Sequence, residues 1–389
     1  MGASLCAESA AFFDECIDRS VGQTEEEQMA TFDSVSNRAS RFAMNRRRLL
    51  LGAGAAAAIW PLRRVEAADE YIVYCGYGGS TQEVIREAFL VPFTQQTGIR
   101  VIETGPPDYA KVKAMIEAKR VEWDVMQSDP DFVVRGISEN LVESIDYQIV
   151  SNKDLLPGAA LPGGVVYDYG ATVIAYRTDV FPAGKGPRTW AEFWDVSRFP
   201  ARRALSADPY YLFPLALAAD GVTRDKIYPI DVDRVFRSLT RIRPHIVKFY
   251  ETFGQSSQLI TDKEADLLGA TTTRMHIVQQ QGAPVYVELN EGVPFGDAWV
   301  IPRGSPRKAN AMKFIAFAAQ FDSGMALKAR KTRTGMTQTR TAKLLEPEIA
   351  RQLVTSPDNW PKLLPVGDDW WASNRPKMQQ LMTAWLLKG

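Results

Sequence analysis

The sequence motifs of the common enzyme classes are missing from this chain. Its 389 residues include only two histidines, His245 and His276, which lie far apart and form no His-Glu-x-x-His pair. The sequence also lacks a Cys-x-x-Cys pair, a Walker glycine-lysine loop and a Gly-x-Ser-x-Gly elbow. Ser305 and Lys308 match the short Ser-x-x-Lys pattern, but its partner motifs are absent. The sequence therefore predicts no catalytic site, no metal and no cofactor.

A glycine-rich loop is the one local pattern that suggests ligand contact. Gly76-Tyr77-Gly78-Gly79 follows an apolar strand and precedes a helix. Backbone N–H groups in such a loop can hold an anion, although the Gly-x-Gly-x-x-Gly spacing of a dinucleotide site is missing. The other interpretation is a tight strand-to-helix turn that needs positive φ. Both interpretations stay open at this point.

The elements around this loop predict an α/β fold. Apolar strands at Tyr71–Cys75, 99–102, 123–126 and 170–176 alternate with helices of amphipathic pattern. A further strand is predicted at 299–301, followed by another amphipathic helix. Alternation of this kind indicates parallel, doubly wound sheets, in which ligands bind at the carboxyl ends of the strands.

Composition excludes several classes of protein. The 46 basic and 46 acidic residues give a formal charge of zero, whereas binding to nucleic acid needs a concentrated basic surface. No apolar run reaches the roughly 20 residues that span a bilayer. We expect an ordinary globular protein, and a monomer, with no nucleic-acid partner.

The first 67 residues carry an export pattern. Arg46 and Arg47 precede a short apolar segment and then a small-residue cleavage site that ends at Ala67. The arginine pair makes residues 44–67 similar to a twin-arginine (Tat) signal peptide. Met44 is a natural start for such a signal, so we interpret residues 1–43 as a disordered or misannotated extension. The predicted location of the mature chain is the periplasm.

Several segments resemble one family. Thr97-Gly98-Ile99-Arg100-Val101, Trp123-Asp124-Val125 and Thr189-Trp190-Ala191-Glu192-Phe193-Trp194 are similar to landmarks of bacterial spermidine/putrescine-binding proteins. The resemblance implies a two-lobed type II periplasmic binding fold with two crossover hinges, near 173–177 and 297–302. Residues 69–172 plus 298–343 would form lobe 1, and residues 173–297 plus 344–389 would form lobe 2. The implied function is capture of a polyamine for an ABC permease by closure of the lobes.

The same resemblance implies the binding residues. Asp208 and Asp297 fall on amine-binding aspartates of the family, and Phe295 and Ser128 fall on neighbouring site positions. The sequence departs from the family at Tyr77, which lies in a loop that carries a Trp-Thr pair in the family. Tyr211 replaces a carboxylate and Thr271 replaces a tryptophan. The expected ligand-binding set is therefore Tyr77, Ser128, Asp129, Asp208, Tyr211, Thr271, Phe295 and Asp297.

Other functions remain open from the sequence. The pair Tyr210-Tyr211 is similar to the paired iron ligands of ferric-binding relatives. The glycine loop suits an anionic or zwitterionic solute. A secreted enzyme on a similar scaffold, or a receptor read by a sensor kinase, would have the same overall pattern.

Overall fold

A computed structural model of the chain describes residues 70–388. The signal-peptide prediction and the interpretation of residues 1–43 therefore lie outside the described residues. Within 70–388, no helix has the length and apolar character needed to cross a membrane.

The strands and helices alternate along the chain as the sequence predicts. The strands are β1 Tyr71–Cys75, β2 Arg100–Thr104, β3 Val125–Ser128, β4 Ala160–Leu161, β5 Gly164–Arg177, β6 Arg203–Ser206, β7 Ile246–Tyr250, β8 Leu267–Thr271, β9 Val285–Val300 and β10 Gly335–Met336. The α-helices are α1 Gly79–Ile85, α2 Val91–Thr97, α3 Tyr109–Glu117, α4 Pro130–Ser138, α5 Trp190–Trp194, α6 Pro209–Ala219, α7 Val232–Ile242, α8 Phe253–Thr261, α9 Thr272–Gln280, α10 Lys308–Gln320, α11 Asp322–Thr332, α12 Pro347–Gln352 and α13 Asp368–Leu387. A π-helical turn, Arg86–Leu90, joins α1 to α2.

The strands form one sheet with the order β2-β1-β3-β9-β5-β8-β6-β7. Strands β2, β1 and β3 are parallel to one another and make up the first strand group. Strands β8, β6 and β7 are likewise parallel and make up the second strand group. Parallel strands within each group confirm the α/β class that the alternation predicts.

Two long antiparallel strands, β5 and β9, lie between the groups. The first part of β5 pairs with β9 over Val293–Val300, and its last residues pair with β9 over Val285–Glu288. The pairing register shifts between Thr172 and Ile174. Strands β5 and β9 are thus shared by both groups, which is the arrangement that two crossover connections need. The boundaries of the two lobes at 172/173, 297/298 and 343/344 stay predictions.

Separate hydrophobic cores stabilise the two strand groups. The core against the first group contains Phe89 and Trp299, which meet edge to face at 5.4 Å. The core against the second group contains Trp190, and α13 contributes Trp371 and Met378 to it. Burial of large aromatic side chains in each core gives each group its own stabilisation.

Asp124 connects the first strand group to the segment that precedes α10 through hydrogen bonds. Its carboxylate is fully buried and accepts hydrogen bonds from Val73 N at 2.7 Å and Ser305 Oγ at 2.7 Å. Arg307 Nε donates to the same carboxylate at 2.6 Å. These three hydrogen bonds, one of them from a guanidinium, compensate the charge of the Asp124 carboxylate despite its burial.

We predict that Asp124→Ala lowers the free energy of unfolding by about 3–5 kcal/mol, because it leaves Arg307 and two further donors without their partner. Urea denaturation followed by tryptophan fluorescence measures this loss. The control is Glu122→Ala, since Glu122 is 53% exposed and lies 4.0 Å from Lys111; it should cost about 1 kcal/mol or less. Equal losses in the two variants would contradict the role given to Asp124.

Candidate functional site

A cavity of about 280 Å³ lies at the ends of strands from both groups. β1 leads into Tyr77, β3 into Asp129, and β8 ends at Thr271. Phe295 and Asp297 reach it from β9. The complete lining is Tyr77, Thr81, Asp129, Gly170, Tyr211, Phe253, Thr271, Thr273, Arg274, Phe295, Asp297, Lys328, Thr332 and Thr334. This is the position at which open α/β sheets bind ligands.

Six of the eight residues expected from the sequence line this cavity, namely Tyr77, Asp129, Tyr211, Thr271, Phe295 and Asp297. The other two do not. Ser128 is fully buried at the end of β3, and its hydroxyl has no hydrogen-bond partner among the described residues. Asp208 caps α6, where its carboxylate accepts from Tyr210 N at 2.9 Å. Ligand binding by the eight residues stays a prediction.

The glycine loop has the geometry of a tight turn. Gly78 and Gly79 have positive φ angles of 80° and 59°, which favour glycine. A Cβ atom on Gly76 would lie 1.8 Å from Oε1 of Gln82. The tight-turn interpretation is therefore confirmed, and the turn directs Tyr77 to the cavity.

Aromatic rings form one wall of the cavity. The ring of Tyr211 meets Phe295 edge to face at 5.5 Å and Phe253 at 5.3 Å. Gly170 lies beneath this wall, where a Cβ atom would approach the Phe295 ring to 2.5 Å. Such a wall offers ring faces to the methylene groups or the ammonium of a solute.

One group of carboxylates shares a single arginine, Arg375 of α13. Its Nη1 donates to Asp129 at 2.9 Å and to Asp131 at 3.0 Å. Its Nη2 donates to Asp208 at 3.4 Å, and the guanidinium lies 4.9 Å from the centre of the Tyr210 ring. Asp208 is therefore already paired with a cation that belongs to the chain.

A second group of carboxylates lies on the paired strands β5 and β9. Asp168 and Asp297 are direct partners in the antiparallel register. Asp168 is buried and forms a salt bridge with the equally buried Lys328, whose Nζ also donates to Thr334 at 3.1 Å. Burial, followed by the charge of Asp168, raises the pKa of Asp297 well above its ordinary value, and Lys328 opposes this only in part.

Arg274 provides positive charge on the same cavity. It lies in the first turn of α9 and lines the cavity together with Thr271 and Thr273. Within the part of the chain that the structure describes, its guanidinium has no hydrogen bond or ion pair. An arginine with free donors, at the positive end of a helix, is suited to bind a carboxylate.

The residues expected from the sequence include the aspartates and aromatic residues but none of the cations Arg274, Lys328 and Arg375. A signal for two of them is present in the sequence. Lys328 sits between the buried apolar residues Met325 and Ala329 on α11, and Arg375 sits between Trp371 and Met378 on α13. A cation on an apolar helix face needs a buried acidic partner.

The ferric-iron alternative has little support in this geometry. Only Tyr211 of the tyrosine pair lines the cavity, while Tyr210 donates from its hydroxyl to Asp368 at 3.2 Å. Burial raises the pKa of both tyrosines, which opposes the phenolate that iron needs. Within residues 70–388, no group of three or more His, Cys, Asp or Glu side chains is arranged to hold a metal ion.

Known proteins with this architecture bind solutes. The chain is 28% identical over 327 residues to the gamma-aminobutyric acid-binding protein of Pseudomonas aeruginosa, covering 82% of this chain and 92% of that one. An ABC transporter substrate-binding protein from Bradyrhizobium japonicum has 30% identity and a TM-score of 0.77, covering 82% and 99%. A GABA receptor has 31% identity and a TM-score of 0.77, covering 82% and 98%.

A polyamine-binding protein is more distant. The spermidine/putrescine substrate-binding protein of Streptococcus pneumoniae has 14% identity and a TM-score of 0.66, covering 81% of this chain and 99% of that one. This similarity shows the fold alone, so the resemblance is confirmed for the fold and polyamine binding stays a prediction.

Two strand groups that share β5 and β9, with a charged and aromatic cavity at their strand ends, define a two-lobed periplasmic binding protein. The chain belongs to the bacterial extracellular solute-binding protein family, whose model matches residues 88–351. It is the substrate-binding component of an ABC transporter, with a membrane permease as its partner. It is not an enzyme.

The raised pKa of Asp297 leads to a prediction about stability. The folded protein holds this proton more tightly than the unfolded chain, so stability falls as pH rises above about 4, the ordinary aspartate pKa. Asp297→Asn removes that loss. The variant should match the wild type near pH 4 and become increasingly more stable than the wild type towards pH 8.

Urea denaturation of the ligand-free protein at several pH values measures this difference. Asp358→Asn is the control, because Asp358 is exposed and a substitution at the surface should change stability by no more than about 0.5 kcal/mol. A stability difference for Asp297→Asn that stays constant from pH 4 to pH 8 would rule out a raised pKa at Asp297.

Proposed function

We propose that this substrate-binding protein captures a small zwitterion, an ω-amino acid of the 4-aminobutyrate class, and delivers it to its permease. The observation that supports this most is the pairing of charges on one cavity. Asp129 and Asp297 line it together with Arg274, which has no hydrogen bond or ion pair with residues 70–388. A solute with an ammonium and a carboxylate satisfies both kinds of group at once.

The ammonium end of the solute belongs at Asp297 and Asp129. Tyr77 donates to Asp129 at 3.5 Å, and Phe295 stands beside Asp297 on β9. Carboxylates beside aromatic rings are the surroundings that stabilise an organic ammonium. The carboxylate end belongs at Arg274 and the threonine hydroxyls near the start of α9.

The size of the cavity and the relatives agree with this assignment. A volume of about 280 Å³ is at the lower end for ligand sites and suits a small solute. The relative from Pseudomonas aeruginosa is a gamma-aminobutyric acid-binding protein, and one of the similar structures is a GABA receptor.

The polyamine that the sequence suggested is the second candidate, because carboxylates line the cavity. Its second ammonium would meet Arg274 or Lys328, however, and Asp208 is already paired with Arg375. Like charges in a cavity of this size disfavour a dication. The charge distribution therefore favours a zwitterion.

We further propose export by the Tat-type signal at 44–67, a periplasmic location and a monomeric mature chain. Closure of lobe 1 (69–172 plus 298–343) on lobe 2 (173–297 plus 344–389) would bury the solute. Water would then be excluded from the ion pairs, which strengthens them.

A matched set of four-carbon ligands tests the proposed function. We predict that 4-aminobutyrate binds the mature chain at least about tenfold more tightly than butylamine or putrescine, because only it offers a carboxylate to Arg274. Isothermal titration calorimetry gives the three dissociation constants. Tighter binding of putrescine than of 4-aminobutyrate would establish the polyamine function instead.

Substitution of the arginine tests which group recognises the carboxylate. Arg274→Gln should weaken 4-aminobutyrate by roughly 10–150-fold, the worth of a charge-assisted hydrogen bond, and leave butylamine almost unchanged. Arg198→Gln, at a side chain that is 63% exposed, is the control and should alter neither ligand. Equal weakening of both ligands by Arg274→Gln would show that Arg274 has no specific role at the carboxylate.

A further inference from the structure

Arg375 occupies surroundings that resemble a binding site for an organic cation. Three carboxylates, those of Asp129, Asp131 and Asp208, accept from its guanidinium within 3.4 Å. The Tyr210 ring covers one side at 4.9 Å. Clustered carboxylates with an aromatic face are what a protein uses to hold an ammonium or guanidinium ligand. Here the cation comes from the chain's own α13.

The carboxylates of Asp129, Asp131 and Asp208 form a cage around the guanidinium. They come from two different strand groups. Asp129 and Asp131 follow β3 of the first group, whereas Asp208 follows β6 of the second. Asp131 is 3% exposed, and the side chain of Asp129 is 30% exposed. Three acidic groups brought this close repel one another unless a cation lies among them. The cage therefore needs a positive charge, whatever its source.

Asp129 connects the cage to the cavity. Its Oδ2 accepts from Arg375, and its Oδ1 accepts from Tyr77, which also lines the cavity. A cation in the cage and a solute in the cavity thus contact the same carboxylate. A solute in the cavity would therefore bind next to a cation position that Arg375 already fills.

We infer that Arg375 is a specificity-determining residue, which fills the position that the second ammonium of a diamine would take. This inference rests on the proposed function, since it explains why a solute with a single amino group is selected. With Arg375 in place, a diamine has no free carboxylate cage for its second ammonium and meets the repulsion of the guanidinium. A zwitterion avoids both penalties.

The test compares 4-aminobutyrate with putrescine, which has the same four-carbon chain and an amine in place of the carboxylate. Binding to the mature wild type, Arg375→Gln, Arg375→Lys and the control Arg86→Gln is measured by calorimetry. Arg86 pairs with Glu103 and its side chain is 47% exposed, so its substitution should alter neither ligand. Arg375→Gln should shift the putrescine-to-4-aminobutyrate affinity ratio at least about tenfold towards putrescine.

Arg375→Lys retains a positive charge in the cage and should leave the ratio close to that of the wild type. This variant separates charge from side-chain shape. An unchanged ratio in Arg375→Gln, or equal weakening of both ligands, would overturn the inference, because Arg375 would then only stabilise the fold or lobe closure.

Removal of a cation from a caged position can impair folding. Arg375→Met is a second uncharged variant of similar length, and the circular dichroism and melting temperature of each ligand-free variant are recorded. If Arg375→Gln folds only when putrescine is added, and not when 4-aminobutyrate is added, the inference is supported. Failure of both uncharged variants to fold even in putrescine would overturn it.

Failure of the inference about Arg375 and failure of the proposed function give different results. If the wild type does not bind 4-aminobutyrate, the zwitterion assignment fails whatever the variants do. If the wild type binds it and only the affinity ratio of Arg375→Gln fails to move, the assignment stands and the role of Arg375 falls.

Discussion

The main physical constraint on the cavity and its surroundings is that buried negative charge must be neutralised. Asp168 and Asp131 are almost completely buried, and Asp129, Asp208 and Asp297 adjoin them. An ionised carboxylate removed from water is costly unless a cation or hydrogen-bond donors replace the water. Lys328 forms a salt bridge with Asp168, and Arg375 pairs with Asp129, Asp131 and Asp208. Each cation therefore connects segments that are distant in the chain.

This compensation is incomplete in a way that suits ligand binding. Lys328 forms its salt bridge with Asp168, and burial, followed by the charge of Asp168, raises the pKa of the neighbouring Asp297. Arg274 shows the opposite imbalance, a guanidinium without a partner in the described part of the chain. The proposed zwitterion would correct both imbalances in one binding event. In that case, the charges that destabilise the empty site would become the source of its affinity and selectivity.

The backbone elements were largely predictable from the sequence. Tyr71–Cys75 is a strand with the predicted bounds, because a short apolar run ended by glycines leaves few alternatives. The aromatic and acidic lining was also predictable in part, since Tyr77 and Asp129 lie just beyond strand ends, where α/β sheets bind ligands.

The pairing of charges was not predictable. Arg375 lies 167 residues from Asp208 and 246 from Asp129, and no local pattern fixes contacts over such separations. The sequence therefore suggested Asp208 as a free ligand for an amine, whereas in the fold it has an internal partner. In the proposed function, the choice of solute depends on these long-range pairs. The resemblance to polyamine binders was correct about the fold, and polyamine binding stays a prediction.

A crystal structure of the mature chain with 4-aminobutyrate tests the central claim most directly. We predict the ammonium within about 3 Å of Asp297 or Asp129 and the carboxylate within about 3 Å of Arg274, with Arg375 still bound to Asp129, Asp131 and Asp208. A ligand ammonium on Asp208 with Arg375 displaced, or a ligand outside this cavity, would contradict it.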